Sequence, residues 1–218
     1  MLCCRVDSPM AEKEEDAAGM FGHVGYCDIP AITVDSLFDF LFSLNFPIKF
    51  FVYLGDTPAH DTYYQYPLKQ MRGITYVSEL LSSKRNKTGD VYPVLGNHDT
   101  YPCDHFDPYT DKHQWMLNNI TSLWKPWLNK NSLKTLNTKG VYSQLHPGTK
   151  LKVIGLNPFV MLSTNPYLWN GKSDPLGILT WLEKELAESE VKKESVLILS
   201  HESPEVGIMN PRNTFSYK

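Results

Sequence analysis

The stretch Phe50-Phe51-Val52-Tyr53-Leu54-Gly55-Asp56-Thr57-Pro58-Ala59-His60-Asp61 decides the fold. Its first five residues form an unbroken apolar run of strand length, and Gly55-Asp56-Thr57-Pro58 cuts the run off with turn formers. A strand apolar on both faces belongs to a covered, largely parallel sheet. The figure recurs downstream: residues 91–95 read as a strand ending at Gly96-Asn97-His98-Asp99, residues 151–157 as another, and residues 196–200 as a buried strand ending at His201. Helical periodicity fills the intervals. Thr33 is the expected N-cap of a helix with Val34, Leu37, Phe38, Leu41 and Phe42 on one face, stopping before Pro47. Ile74, Val77, Leu80 and Leu81 mark a second helix that ends in the polar stretch 82–90. Trp115, Ile120, Leu123, Trp124 and Trp127 mark a third, and Asp174-Pro175 opens a fourth that runs through Leu186. Strands alternating with helices predict an α/β fold.

Composition narrows the classes. With 218 residues, 42% of them apolar, the chain has material for one sizeable core rather than two. The net charge of −3 and the scattered basic residues give no phosphate-backbone footprint, so no nucleic acid is expected as a stable partner. The run 50–54 is far short of a membrane helix, and no transmembrane segment is expected. Residues 1–30, broken by Gly19, Gly22, Gly25 and Pro30, read as irregular and carry no secretory leader. Asn86-Lys87-Thr88 and Asn119-Ile120-Thr121 nevertheless fit the N-glycosylation sequon, a surface feature of exported chains. Cys3, Cys4, Cys27 and Cys103 are too few for a disulfide scaffold and lack paired C-x-x-C spacing; taken alone they read as buried thiols.

In open α/β sheets ligands collect beyond the carboxyl ends of the strands. Asp56, Asn97 and His201 each stand one or two residues past such an end. A carboxylate, an amide oxygen and an imidazole make a mixed oxygen and nitrogen set for a borderline divalent ion such as zinc or manganese. Singly, Asp56 and Asn97 are ordinary turn residues and His201 an ordinary strand-end histidine; the conjunction points to a site.

Gly55-Asp56-Thr57-Pro58-Ala59-His60-Asp61 and Gly96-Asn97-His98-Asp99 resemble two signatures of the calcineurin-like dinuclear metallophosphoesterases, in a form similar to the acid sphingomyelinase branch. Ala18-Gly19-x-Phe21-Gly22, Cys27-Asp28-x-Pro30, Leu123-Trp124-x-Pro126-Trp127-Leu128, Gly140-Val141-Tyr142-Ser143 and Ser173-Asp174-Pro175-x-Gly177 follow in that family's order. The resemblance implies a sandwich of central β-sheets flanked by helices. It implies Asp56 as the carboxylate bridging two ions, with Asn97 and His201 as ligands of one of them. His98 and His60 are implied as non-ligand histidines that line the phosphate and protonate the leaving oxygen, although His60 also reads as a turn residue packing on Tyr63 or Tyr64. Cys4 and Cys27 match a family disulfide; Cys103 matches nothing in the pattern.

The resemblance further implies hydrolysis of a phosphodiester, foremost sphingomyelin to ceramide and phosphocholine, with nucleotides or other small phosphodiesters as the alternative. It implies divalent metal, Zn2+ first, a secreted or lysosomal setting and peripheral contact with a membrane surface. The family's Asp-x-His at the end of the first strand and its late Gly-His-x-His are not found, and Ser200-His201-Glu202-Ser203-Pro204 departs from Gly-His-x-Pro-Pro-Gly. Residues 1–30 are thus expected to be a disulfide-linked N-terminal segment and 31–218 a partial catalytic domain, holding at most one of the two ions and turning over weakly or not at all. A non-catalytic glycoprotein that binds lipid or partners is the reading from a different class.

Overall fold

The computed structural model describes residues 10–23, 27–44, 47–83, 90–171 and 173–203. Two small sheets carry the fold. In the first, β1 (Phe50–Tyr53) pairs in parallel with β2 (Asp90–Pro93), with Phe50 opposite Asp90 and Tyr53 opposite Pro93. In the second, the order is β3 (Tyr142–Leu145), β4 (Leu151–Gly155), β5 (Ser195–Leu199), with β3–β4 antiparallel and β4–β5 parallel. The expectation of a largely parallel sheet therefore needs β3 as its correction. The turn 146–150, closed by His146 N–H to Leu151 O at 2.7 Å, is too short for a crossover and forces an antiparallel return. Packing of β2 against β4 brings the two sheets together.

Helix α1 (Ala31–Ser43) begins two residues before the expected cap. Pro30 precedes its first turn, where a missing N–H costs nothing, and the Thr33 hydroxyl instead donates to Phe21 O at 2.8 Å. Helix α2 (Pro67–Ser83) buries Ile74, Val77 and Leu81 along one face, as its periodicity requires. Helix α3 (Gln114–Leu123) stops short of Trp124, which is fully buried beyond the helix end, with its indole N–H donating to Ser78 Oγ at 3.3 Å. A polar helix, α4 (Lys130–Lys139), follows; Asn129 Oδ1 caps it by accepting from the amides of Asn131 and Ser132.

Helix α5 spans Ile178–Lys192. Pro175 opens a 3-10 turn (Pro175–Gly177) rather than the α-helix, because Leu176 takes φ 59°. The Asp174 carboxylate still caps α5 across that turn, accepting from the amides of Leu179 and Thr180. The shared core contains Val91, Tyr92, Leu95, Ile120, Trp124, Val153, Ile154 and Phe159. Burying such side chains contributes roughly 1.5–3 kcal/mol each. The carboxyl ends of β1, β2 and β5, which carry the motif residues, meet at one edge of this core. Among the described residues, no helix is long and apolar enough to cross a membrane.

Candidate metal centre

Two turns approach closely because each has a glycine. Gly55 (φ 73°) follows β1, and a Cβ there would fall 2.4 Å from Gly96 N and 2.6 Å from Val94 O. A Cβ on Gly96 would fall 2.3 Å from Asp56 N. Between the turns lies Asp99, 1% exposed, whose carboxylate accepts from the amides of Gly96 (2.7 Å), Asp56 (3.2 Å) and Thr57 (3.3 Å). Burial pushes the Asp99 carboxyl up to about 6, against the opposing pull of the amides of Gly96 and Asp56.

Asp56 emerges from this clasp at φ 60°. Its Oδ1 accepts from the His98 amide at 3.1 Å and lies 2.6 Å from His98 Nδ1; its Oδ2 faces His201 Nε2 at 3.7 Å. Burial alone would raise the Asp56 carboxyl, but the His98 hydrogen bond, with the charges of His98 and His201, holds it below the usual range. The same Asp56 bond raises His98, against the effect of burial.

Asn97 donates its side-chain amide to Asp104 Oδ1 at 3.0 Å, and Asp104 N–H returns to Asn97 O at 3.0 Å. That clasp turns Asn97 Oδ1 toward His201 Nε2, 3.1 Å away. His201, past the end of β5, places Nδ1 2.9 Å from Leu54 O at the end of β1. A carbonyl can only accept, so Nδ1 carries a proton; Nε2 faces Asn97 Oδ1 and Asp56 Oδ2, donating to them when the ring is charged and presenting a lone pair when it is neutral. Facing lone pairs at these separations fit a shared cation, and the donor chemistry suits zinc or manganese. Among the described residues, no group of three or more His, Cys, Asp and Glu side chains is placed to hold a metal ion.

The histidines cluster beside it. His60 and His98 rings meet edge to face with centroids 4.6 Å apart. His60 takes both its amide (2.9 Å) and its Nδ1 (2.6 Å) to the Asp28 carboxylate. The rings of Tyr63 and Tyr64, the other neighbours expected for His60, meet each other tilted by 50° with centroids 4.7 Å apart. Cys103 is free, 3.9 Å from Asn97 O, and burial pushes its thiol well up. Asn119 is exposed within α3 and donates to Trp115 O at 2.7 Å. Cys3, Cys4 and Asn86 lie outside the described residues.

Asp28, Asp99 and Asp104 received no role from the motifs. Asp28 and Asp99 stand inside quoted signatures, yet only folding reveals which partner each carboxylate meets. Asp104 had no local signal beyond its place in the loop after Gly-Asn-His-Asp.

Residues 31–217 match the calcineurin-like phosphoesterase family, and the chain belongs to it. The chain is 33% identical over 207 residues to the sphingomyelin phosphodiesterase of Homo sapiens, covering 93% of this chain and 32% of that protein. The Bos taurus sphingomyelin phosphodiesterase gives 33% over 207 residues, covering 93% and 33%. The cyclic GMP-AMP phosphodiesterase of Homo sapiens is 32% identical over 189 residues, covering 84% of this chain and 40% of that protein. The chain thus spans about a third of the length of the sphingomyelin phosphodiesterases it matches.

Proposed function

We propose that the chain contributes to metal-dependent hydrolysis of a phosphodiester, with sphingomyelin as the foremost substrate. The observation that carries this reading is the convergence of Asp56 Oδ2, Asn97 Oδ1 and the His201 Nε2 lone pair at the ends of three strands. These residues would hold one divalent ion, zinc first. When bound, such an ion polarises phosphoryl oxygens and makes water a competent nucleophile near neutral pH.

The remaining work falls to the chain's own side chains. His60 and His98 face one another beside the ligand set and serve as proton donors to the leaving oxygen. Asp28 orients His60; Asp56 orients His98 and stabilises its protonated ring. Asp104 fixes which Asn97 atom faces the centre.

A lipid substrate is favoured over a soluble one by the surface next to His60. Tyr63, Tyr64, Tyr66 and Leu68 are all exposed there, and exposed aromatic clusters suit a membrane interface. The similarity to the cyclic GMP-AMP phosphodiesterase supports small phosphodiesters as the second reading. A secreted or lysosomal setting, glycosylation at Asn86 and Asn119, and a Cys4–Cys27 disulfide complete the proposal. Asn119 is exposed and Cys27 is disulfide-bonded, which support the last two. We read residues 1–30 as the segment stapled by that disulfide and 31–218 as part of the catalytic domain.

The test is hydrolysis of sphingomyelin in mixed micelles, and of bis(p-nitrophenyl) phosphate, with and without zinc. Weak zinc-dependent release that Asp56→Asn abolishes is expected. Zinc binding without turnover of either substrate would favour the non-catalytic reading.

A further inference from the structure

The loop 100–113 runs from the Asn97 turn to helix α3, and a buried histidine closes it. His113, the N-cap residue of α3, is 2% exposed, and its Nδ1 accepts the backbone N–H of Asp107 at 3.0 Å. A backbone N–H can only donate, so Nδ1 is unprotonated and the ring is neutral, with its proton on Nε2. That Nε2 is buried with no hydrogen-bond partner among the described residues. The Phe106 ring lies against His113 with centroids 5.6 Å apart, and the Tyr167 ring meets it edge-on at 6.2 Å. Burial, then Lys112 and His105, oppose a charge on the ring, while Asp107 and the Tyr101 carbonyl favour one; the balance holds His113 below the ordinary histidine range. The amino end of a helix disfavours a cation as well.

A second proton would set Nδ1–H against the Asp107 N–H, two buried donors facing each other. The Asp107 carboxylate is not free to turn and compensate, because it already accepts from the Tyr109 amide (2.9 Å) and the Thr110 hydroxyl (2.7 Å). A path leads from here to the centre. Phe106, whose ring rests on His113, stands two residues from Asp104, and Asp104 holds Asn97 by two hydrogen bonds of 3.0 Å. We propose that His113 is a proton-operated latch: neutral, it holds the loop 100–113 closed; charged, it releases Asp107 and, through the loop, the Asp104 clasp on Asn97. The latch itself needs no metal. Its consequence, a centre loosened by acid from outside its own ligands, rests on the metal-binding reading of Asn97.

The experiment is amide hydrogen exchange by NMR on the 218-residue chain without added metal, wild type and His113→Asn, read as protection factors. Asn keeps an oxygen to accept from Asp107 and cannot become charged. Opening linked to one proton grows by at most about tenfold per pH unit below the ordinary 6.5. Between about pH 7.5 and about pH 5, wild type is expected to lose about tenfold in protection at both Asp107 and Asp104. Val153, in the core of β4, is expected to stay unchanged, and His113→Asn to show no such loss. Ring 15N shifts of wild type, which stand even if the variant does not fold, are expected to show the Nε2–H tautomer and titration below 6.5. Equal losses in wild type and His113→Asn, or the opposite tautomer, would end the latch. Release of Asp107 without Asp104 would show that the loop opens without reaching Asn97, and the coupling would fall. Zinc titration of wild type separates the two readings: no binding at either pH, with exchange as expected, would remove the metal centre and leave the latch.

Discussion

His201 Nδ1 lies 2.9 Å from the carbonyl oxygen of Leu54, joining the end of β5 in one sheet to the end of β1 in the other. This bond favours the neutral tautomer that the proposed metal site needs, with Nε2 free to face a cation. Long-range 1H–15N NMR of the histidine rings is expected to show His201 protonated at Nδ1 and unprotonated at Nε2 near neutral pH without metal. The opposite tautomer would remove His201 from the ligand set.

Asp99 is expected to act through folding rather than chemistry. Asn in its place would turn an N–H toward amides that now donate to a carboxylate oxygen. Leaving a buried donor unsatisfied costs about 1–3 kcal/mol, and urea unfolding of Asp99→Asn should show that loss. Unchanged stability would mean that the two turns are held by other contacts.

Gly96→Ala should be more damaging. The added Cβ would fall 2.3 Å from Asp56 N and 2.6 Å from Asp56 Cα, both backbone atoms that no rotamer change can move. A loss of about 3 kcal/mol, the upper end of overpacking penalties, is expected from denaturant unfolding, together with lost metal binding. A fully stable variant would show that the turns can separate without consequence.

For His60, the Asp28 carboxylate fixes Nδ1–H. Asp28→Ala is expected to give a mixture of His60 tautomers by the same NMR measurement, where wild type shows one. Any residual hydrolysis should fall about tenfold in that variant, less than the ~10²-fold that losing a general acid outright costs, because the His60 ring itself remains. An unaltered His60 spectrum would separate Asp28 from the site.

Away from the site, Lys152 is buried on β4 between Glu185 (3.4 Å) and Glu194 (3.1 Å). Burial alone would raise Glu194, but its hydrogen bonds from Lys152 and Ser189 hold it below the ordinary 4.5. A carboxyl depressed in the folded state stabilises above its unfolded pKa, and that stability is lost as pH falls through the folded value. Glu194→Gln should therefore melt lower than wild type at pH 7, with the gap closing progressively below about pH 4.5. A gap independent of pH would assign the loss to packing.

Much of the fold was legible because local signals agreed with burial. The apolar runs of β1, β2, β4 and β5, and the periodic faces of α1 and α2, report their own environment. Strand β3 carries little local signal, because Tyr142-Ser143-Gln144-Leu145 is short and buried mainly at Tyr142. Helix α4 carries little signal either, with only Leu133 and Leu136 as apolar residues. At the site, positions just past strand ends exposed Asp56, Asn97 and His201. The supporting carboxylates were not legible: Asp28 meets His60 across 32 positions and Asp99 meets Asp56 across 43, and such pairings exist only after folding.

The central claim is that Asp56, Asn97 and His201 share one cation. Zinc K-edge X-ray absorption on the zinc-loaded chain addresses it directly. The expected first shell contains oxygen and nitrogen only, with outer-shell scattering from a single imidazole. Two or more imidazoles, or any sulfur from Cys103, would contradict the assignment.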